Sequence, residues 1–267
     1  MTKQDKGWAL VTGASNGIGA VYADRLARDG YDLVLVARSA GKLEAIAAQI
    51  RTSSARQVEL MVADLGTADG VAQVEQRLRD DARISMLVNN AGVGAVMPLL
   101  HSPVDAMEQL ITLNITAVTR LAYAAATAMA ARGAGTIINI SSIVAIGPEI
   151  LNGVYGGSKA FVLALSQSMH HELAGQGVRI QAVLPGATAT DFWAVAGNPV
   201  ENLPSSIVMR ADDMVDAALA GLAQGEVVTI PSLHEGGKWT RYEAARRELS
   251  GLFGNAAPAP RYTPAAA

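Results

Sequence analysis

The chain contains no cysteine. Disulfides, thiolate nucleophiles and cysteine–zinc sites are therefore excluded, and the composition agrees with a reducing compartment. Charge is sparse as well: Asp, Glu, Lys and Arg make up 17% of the 267 residues, with a formal net charge of −3. No basic run is present, so neither nucleic acid nor an anionic membrane surface is an expected partner. Long apolar runs are also missing. The longest uncharged, alanine-rich stretch, 121–131, lies between Arg120 and Arg132 and is too short to span a bilayer. The first residues are polar and lead into only a short apolar stretch, unlike a secretory signal. A cytoplasmic protein is expected. Metal-ligand patterns are absent too. His170 and His171 are adjacent and cannot face the same way on a helix, and His101 and His234 have no ligand-like spacing, so no metal is expected.

What is abundant is small and apolar. Half of the residues are hydrophobic, and alanine and glycine are frequent. Apolar, β-branched runs at 8–12, 31–37, 58–63, 84–89, 135–141, 178–184 and 227–231 predict strands. Segments of helical length at 17–29, 40–51, 68–81, 103–132, 155–175 and 211–224 separate them. Runs such as Leu33-Val34-Leu35-Val36 suit strands buried on both faces. Strand–helix alternation at this spacing predicts an α/β fold, an open parallel sheet of about seven strands with helices on both faces. One domain is expected over 1–254, with a cofactor part at about 7–190 and a lid at about 191–210. The lid contains Gly197, Pro199 and Pro204. A mixed helical pattern covers 236–253. The alanine- and proline-rich end, 255–267, reads as a disordered tail.

The first strand runs into Thr12-Gly13-Ala14-Ser15-Asn16-Gly17-Ile18-Gly19. Glycine permits a sharp turn and close approach of a pyrophosphate, and the next helix offers unpaired N–H groups and the positive end of its dipole. The spacing is G-x-x-x-G-x-G rather than G-x-G-x-x-G, so the sequence context, strand then turn then helix, carries the inference. The second strand ends at Ala37, where an NAD site usually places an acid for the ribose hydroxyl. Arg38 follows, with Ser39 and then Lys42 as further donors. A base in place of the acid favours a 2′-phosphate, hence NADP(H). Asp64, with Leu65 beside it, is placed for the adenine or, equally, for a turn or helix cap.

Tyr155 and Lys159 are four residues apart and share a face if the segment is helical. An ammonium near a phenol lowers its pKa from the ordinary value of about 10, towards two-way proton transfer. Alone, such a pair is an ordinary helical pair. Together with Asn89-Asn90-Ala91-Gly92, Asn114, Ser142 and Pro185-Gly186, and with Ser142 thirteen residues before Tyr155, the chain resembles the short-chain dehydrogenase/reductase family over about residues 7–191. Ser141 does not fit that interval.

The resemblance implies a doubly wound Rossmann-type fold and an NADP(H)-dependent oxidoreductase. Its substrate would be a small-molecule carbonyl compound or secondary alcohol. Tyr155 would be the general acid and base. Lys159 would hold the nicotinamide ribose and lower the tyrosine pKa, and Ser142 would hydrogen-bond the substrate oxygen. Asn114 would hold a water leading from Lys159 to solvent, or else be a buried polar residue bonded to backbone. Gly13, Ser15, Asn16, Gly17, Ile18, Gly19, Asn90, Ala91, Gly92, Pro185 and Gly186 would surround the cofactor, and Asn89 would brace the sheet. Thr188 and Thr190 would meet the carboxamide and phosphates, or cap the segment that follows.

The family's substrate loops here carry Val93, Met97, Ile143, Val144, Ile146, Pro148, Leu151, Phe192 and Trp193, which favours a hydrophobic ketone or aldehyde. The C-terminal strand and helix depart from the family pattern, so a homodimer and a homotetramer both remain open. A non-catalytic NADP(H)-binding sensor or scaffold is the second reading.

Overall fold

The computed structural model describes residues 6–262. Seven strands form in this span: β1 (Trp8–Thr12), β2 (Asp32–Ala37), β3 (Val58–Val62), β4 (Ile84–Asn89), β5 (Gly135–Ile140), β6 (Val178–Val183) and β7 (Val228–Thr229). The helices are α1 (Gly17–Arg28), α2 (Ala40–Ser54), α3 (Ala68–Asp80), α4 (Val104–Ile111), α5 (Val118–Arg132), α6 (Gly153–Glu172), α7 (Phe192–Ala196), α8 (Ala211–Ala223) and α9 (Gly236–Gly251). Two compact units result, one within Met1–Ser232 and one within Leu233–Ala267.

In the first unit every strand pairing is parallel, in the order β3-β2-β1-β4-β5-β6-β7. Side chains alternate along a strand, so the unbroken apolar runs serve two cores. Ala9, Val11, Leu33 and Leu35 pack with Tyr22, Leu43 and Met214 of α1, α2 and α8. Leu10, Val34, Val36 and Leu87 pack on the other face with Val74, Leu121 and Met169 of α3, α5 and α6. The chain leaves β1 towards β2 and β3, then returns to build from β4 outwards. The loops after β1 and β4 therefore diverge and leave a crevice at their carboxyl ends, where such sheets bind ligands.

Most element bounds shift by one to three residues from the sequence expectation, and three differences stand out. The helix foreseen over 103–132 is α4 and α5 joined by a π-helical turn, Thr112–Ala117. Its cause is tertiary: Asn114, inside that turn, hydrogen-bonds both backbone groups of Val93. The helix foreseen from 155 starts at Gly153, because Asn152 caps it by accepting from the Val154 N–H at 2.8 Å. The last strand is two residues long rather than five, an edge strand paired only to β6.

In the second unit, α9 stacks Trp239 on Tyr242 with ring centroids 5.2 Å apart. Of the end read as a tail, Pro260–Tyr262 form a 3-10 turn, and 263–267 lie outside the described residues. Among the described residues no helix is long and apolar enough to cross a membrane.

Candidate active site

The crevice is closed at its base by a clasp that begins at the last residue of β1. The Thr12 hydroxyl donates to the Val88 carbonyl and accepts from the N–H groups of Asn90 (2.9 Å) and Ala91 (3.0 Å). Asn90 Nδ2 donates back to the carbonyls of Thr12 and Gly13. The two loops that diverge at the crevice are thus laced together, and Gly13 sits in the lace. Its φ of +65° and the 2.8 Å that a Cβ would leave to Asn90 Nδ2 both require glycine. Gly19 is equally confined, because a Cβ there would collide with the Gly13 carbonyl. Asn89 pairs in register with Asn139 and donates to its Oδ1 at 3.0 Å. Asn139 in turn donates to Ser166 of α6, so Asn89 does brace the sheet.

The turn Ala14-Ser15-Asn16-Gly17-Ile18 leads into α1, whose first turn carries neither an acid nor a capping side chain. Asn16 instead donates to Asp191 at 3.3 Å, and Gly17 rests against the Thr190 side chain. The first N–H groups of α1 are thus left to a ligand, and their dipole favours an anion. At the end of β2, Arg38 is exposed and, among the described residues, has no hydrogen-bond or ion-pair partner. Ser39 caps α2 by accepting from the Lys42 N–H, and its own proton remains to be donated. Asp64 makes a turn, one oxygen accepting from the Gly66 N–H at 2.9 Å. The Leu65 side chain is buried in the core beneath α3 and α5 and is not free to meet a ligand.

Beyond the crevice, α6 and the loop after β5 bring Ser142, Tyr155 and Lys159 together, all buried. The two adjacent serines divide the work. The Ser141 hydroxyl donates to the Lys159 carbonyl, whereas Ser142 hydrogen-bonds Tyr155 and donates weakly to the Pro185 carbonyl at 3.4 Å. Burial pushes the Tyr155 phenol up to about 12, against the downward pull of Ser142. Burial brings the Lys159 ammonium down to about 8. The expected depression of the phenol by Lys159 does not occur in this arrangement. Lys159 Nζ lies over the Tyr155 ring, 5.9 Å from its centre, and donates to the Ile140 carbonyl at 2.9 Å.

Asn114 spends its side chain on Val93, accepting at 3.0 Å and donating at 2.9 Å, and also donates to Ser158. Gly92 sits between Asn114 and Lys159, where a Cβ would lie 3.0 Å from Asn114 Oδ1.

The substrate-loop residues do not all reach the site. Val93, Val144, Leu151 and Phe192 pack around Tyr155. Phe192 lies over the phenol ring, with centroids 5.9 Å apart, and fills the space that a side chain at residue 94 would need. Met97 and Ile146 are exposed, and Pro148 packs on Gly156. Ile143 approaches Gly186, and its N–H donates to Pro185. Trp193 turns away from Tyr155, donating to the Thr188 carbonyl at 3.0 Å. Thr188 donates to Gly186 and Thr190 to Thr188, so neither hydroxyl caps α7. The expected lid is a loop closed at its base, where Thr188 and Met209 form a β-bridge. Gly94, Asn139, Asn152 and Ser158 are not singled out by the sequence, and Thr12 enters there only as the first residue of the glycine motif, without a role. A hydroxyl closing a buried strand just before a glycine turn was the one local signal, at Thr12.

A family model described as short chain dehydrogenase matches residues 7–199. The chain belongs to the short-chain dehydrogenase family. It is similar to a short-chain dehydrogenase from Sphingobium yanoikuyae solved in complex with NADPH. That likeness is 47% identity with a TM-score of 0.93, over 96% of this chain and 100% of that one. It is also similar to the bulky-bulky ketone specific alcohol dehydrogenase from Comamonas testosteroni, with 41% identity and a TM-score of 0.90, over 98% and 100% of the two chains. Against 17-beta-hydroxysteroid dehydrogenase type 3 of Homo sapiens it is 38% identical over 215 residues, which is 79% of this chain and 67% of that protein. Against the very-long-chain 3-oxoacyl-CoA reductase of Anas platyrhynchos it is 33% identical over 193 residues. There it covers 71% of this chain and 62% of the relative. The protein is thus a short-chain dehydrogenase with the family's seven-stranded, doubly wound Rossmann-type sheet, and its activity is that of an oxidoreductase.

Proposed function

We propose that this short-chain dehydrogenase interconverts bulky hydrophobic ketones and secondary alcohols with NADP(H), with Tyr155 as general acid and base. The observation that carries the reading is the buried Tyr155–Ser142 pair under an apolar wall led by Phe192. The uncapped start of α1 and the unpaired Arg38 fit a dinucleotide with a 2′-phosphate, held by residues 13–19, Arg38 and Ser39. The Comamonas relative, specific for bulky-bulky ketones, supports the substrate class.

When bound, the nicotinamide supplies the hydride for reduction and accepts it for oxidation. The protein's part is to bind and to move a proton. Negative charge grows on the substrate oxygen as hydride reaches the carbonyl carbon. Ser142 and Tyr155 each donate a hydrogen bond to that oxygen, and Tyr155 Oη then gives up its proton to it. A phenol held at about 12 is fully protonated at neutral pH, the form that reduction needs. Lys159, held near 8, places a titratable cation against the ring of the phenolate left behind. Asn114 is a positioning residue that fixes the Val93 strip against α6.

The test is NADPH consumption, with NADH alongside, over aliphatic, aromatic, steroid-like and acyl-thioester carbonyl compounds, repeated with Tyr155→Phe. Loss of turnover by about 10²–10⁴-fold with unchanged NADPH affinity supports the reading. Near-normal turnover by the variant refutes Tyr155. Tight NADPH binding without turnover on any carbonyl would favour a sensor.

A further inference from the structure

No residue of α9 is buried among the described residues. A lone helix of this length is marginal in water and owes its stability to packing one face. Such a face exists. Trp239, Tyr242, Leu249 and Leu252 follow at intervals of three, seven and three along α9 and its C-cap, one side of a helix. Tyr242, Leu249, Leu252 and the next residue, Phe253, are exposed. The helix is also net basic, with Lys238, Arg241, Arg246 and Arg247 against Glu243 and Glu248.

The rim of the Tyr155 cleft has the complementary character. Segments 97–108, 146–150 and 195–207 expose Leu99, Leu100, Val104, Ile150, Val195 and Ile207. The same segments hold Asp105, Glu108, Glu149 and Glu201 and no lysine or arginine. They flank the site directly. Asn152, at the start of α6, donates to Met97 (2.8 Å) and Ser102 (3.0 Å), Pro148 packs on Gly156, and α7 carries Phe192. Contiguous exposed apolar surface rimmed by charge marks an interaction site.

We propose that α9 of one copy docks on the acidic, apolar rim of a second copy, so that each catalytic cleft is roofed by its partner. One two-fold operation satisfies both surfaces of both chains. An anionic bilayer would attract the basic helix but repel the acidic rim, so it accounts for one surface and not the other. The roofing of a catalytic cleft rests on the function proposed above; the docking itself does not.

The absence of cysteine makes the experiment clean. Leu249→Cys and Val104→Cys are made in separate full-length chains, mixed, and treated with a short bismaleimide. The expected product is a band of doubled mass, stronger than either variant alone gives. It is lost when Arg246→Glu and Arg247→Glu are added to the Leu249→Cys chain. It returns when Asp105→Lys and Glu108→Lys are added to the Val104→Cys chain. The double variant, with Val104→Cys and Leu249→Cys in one chain, is treated alongside; a cross-link found only within it would put α9 on its own chain and overturn the proposal. Absence of any cross-link would overturn it too, as would flotation with phosphatidylserine vesicles without a doubled band. The cross-link is read without turnover. A doubled band from a protein inactive on every carbonyl would sink the catalytic reading and leave the docking intact.

Discussion

Raising the pH from 8 to 10 relieves a penalty that Lys159 imposes on the fold. Its side chain is buried, its ammonium has the Ile140 carbonyl as acceptor, and burial lowers its pKa from 10.5 to about 8. Between those values the unfolded chain keeps the proton that the folded chain has released. Stability therefore rises with pH across this window, and the full penalty is present below pH 8. Tyr155 acts in the opposite sense. Its phenol stays protonated in the fold up to about 12 but ionises near 10 once unfolded, so stability falls above pH 10. The usable window is thus pH 8 to 10. At about 1.4 kcal/mol per pH unit the gain there is roughly 2–3 kcal/mol, or about 5–10 °C in Tm for a chain of this size. The assay is thermal unfolding against pH for the protein and for Lys159→Met, read as the difference between them, which cancels groups common to both. The variant should be the more stable at pH 7 and lose that advantage by pH 10. A flat difference across the window would mean that Lys159 is not a desolvated cation in the fold.

The other predictions concern the cleft. Arg38→Ala removes an exposed residue whose guanidinium pairs with nothing in the described protein, so the fold should be unaffected. NADPH affinity should fall about ten- to a hundredfold, the worth of a charge-assisted hydrogen bond, with little change for NADH; equal losses for both would defeat the 2′-phosphate role. Phe192→Ala opens the wall over Tyr155 and should shift kcat/KM towards bulkier ketones by about tenfold, given 1–3 kcal/mol per methylene in an apolar pocket. Gly94→Ala displaces the same ring and should act in the same direction, yet add nothing in the Phe192→Ala background. Additive effects would show that the ring is not held by that contact.

The sheet was legible because its signal is local: runs such as Leu33-Val34-Leu35-Val36 need two cores, and both exist. Ser142 was chosen over Ser141 by an interval alone, and the two hydroxyls do point to different partners. What was illegible depends on contacts distant in sequence. The break at 112–117 comes from Val93, twenty-one residues away, and leaves no mark on the local apolar period. Nor does any spacing reveal that Lys159 reaches back to Ile140, that Trp193 turns to Thr188, or that Gly94 is the seat of Phe192. The four-residue interval put Tyr155 and Lys159 on one face correctly but said nothing about which part of the ring the ammonium meets.

The β-bridge between Thr188 and Met209 has a consequence for how such an enzyme changes over time. Its hydrogen bonds run from Ala189 to Met209 and from Met209 to Ala187, so the two ends of the segment between them meet at nearly one point. Its first residues, Thr190 and Asp191, are tied to the glycine turn at Gly17 and Asn16, whereas the stretch from Phe192 to Val208 is a cassette free to drift in length and sequence. Under the proposed function, a cassette grafted from a sister enzyme over that stretch should carry its substrate preference with it and leave the cofactor turn in place.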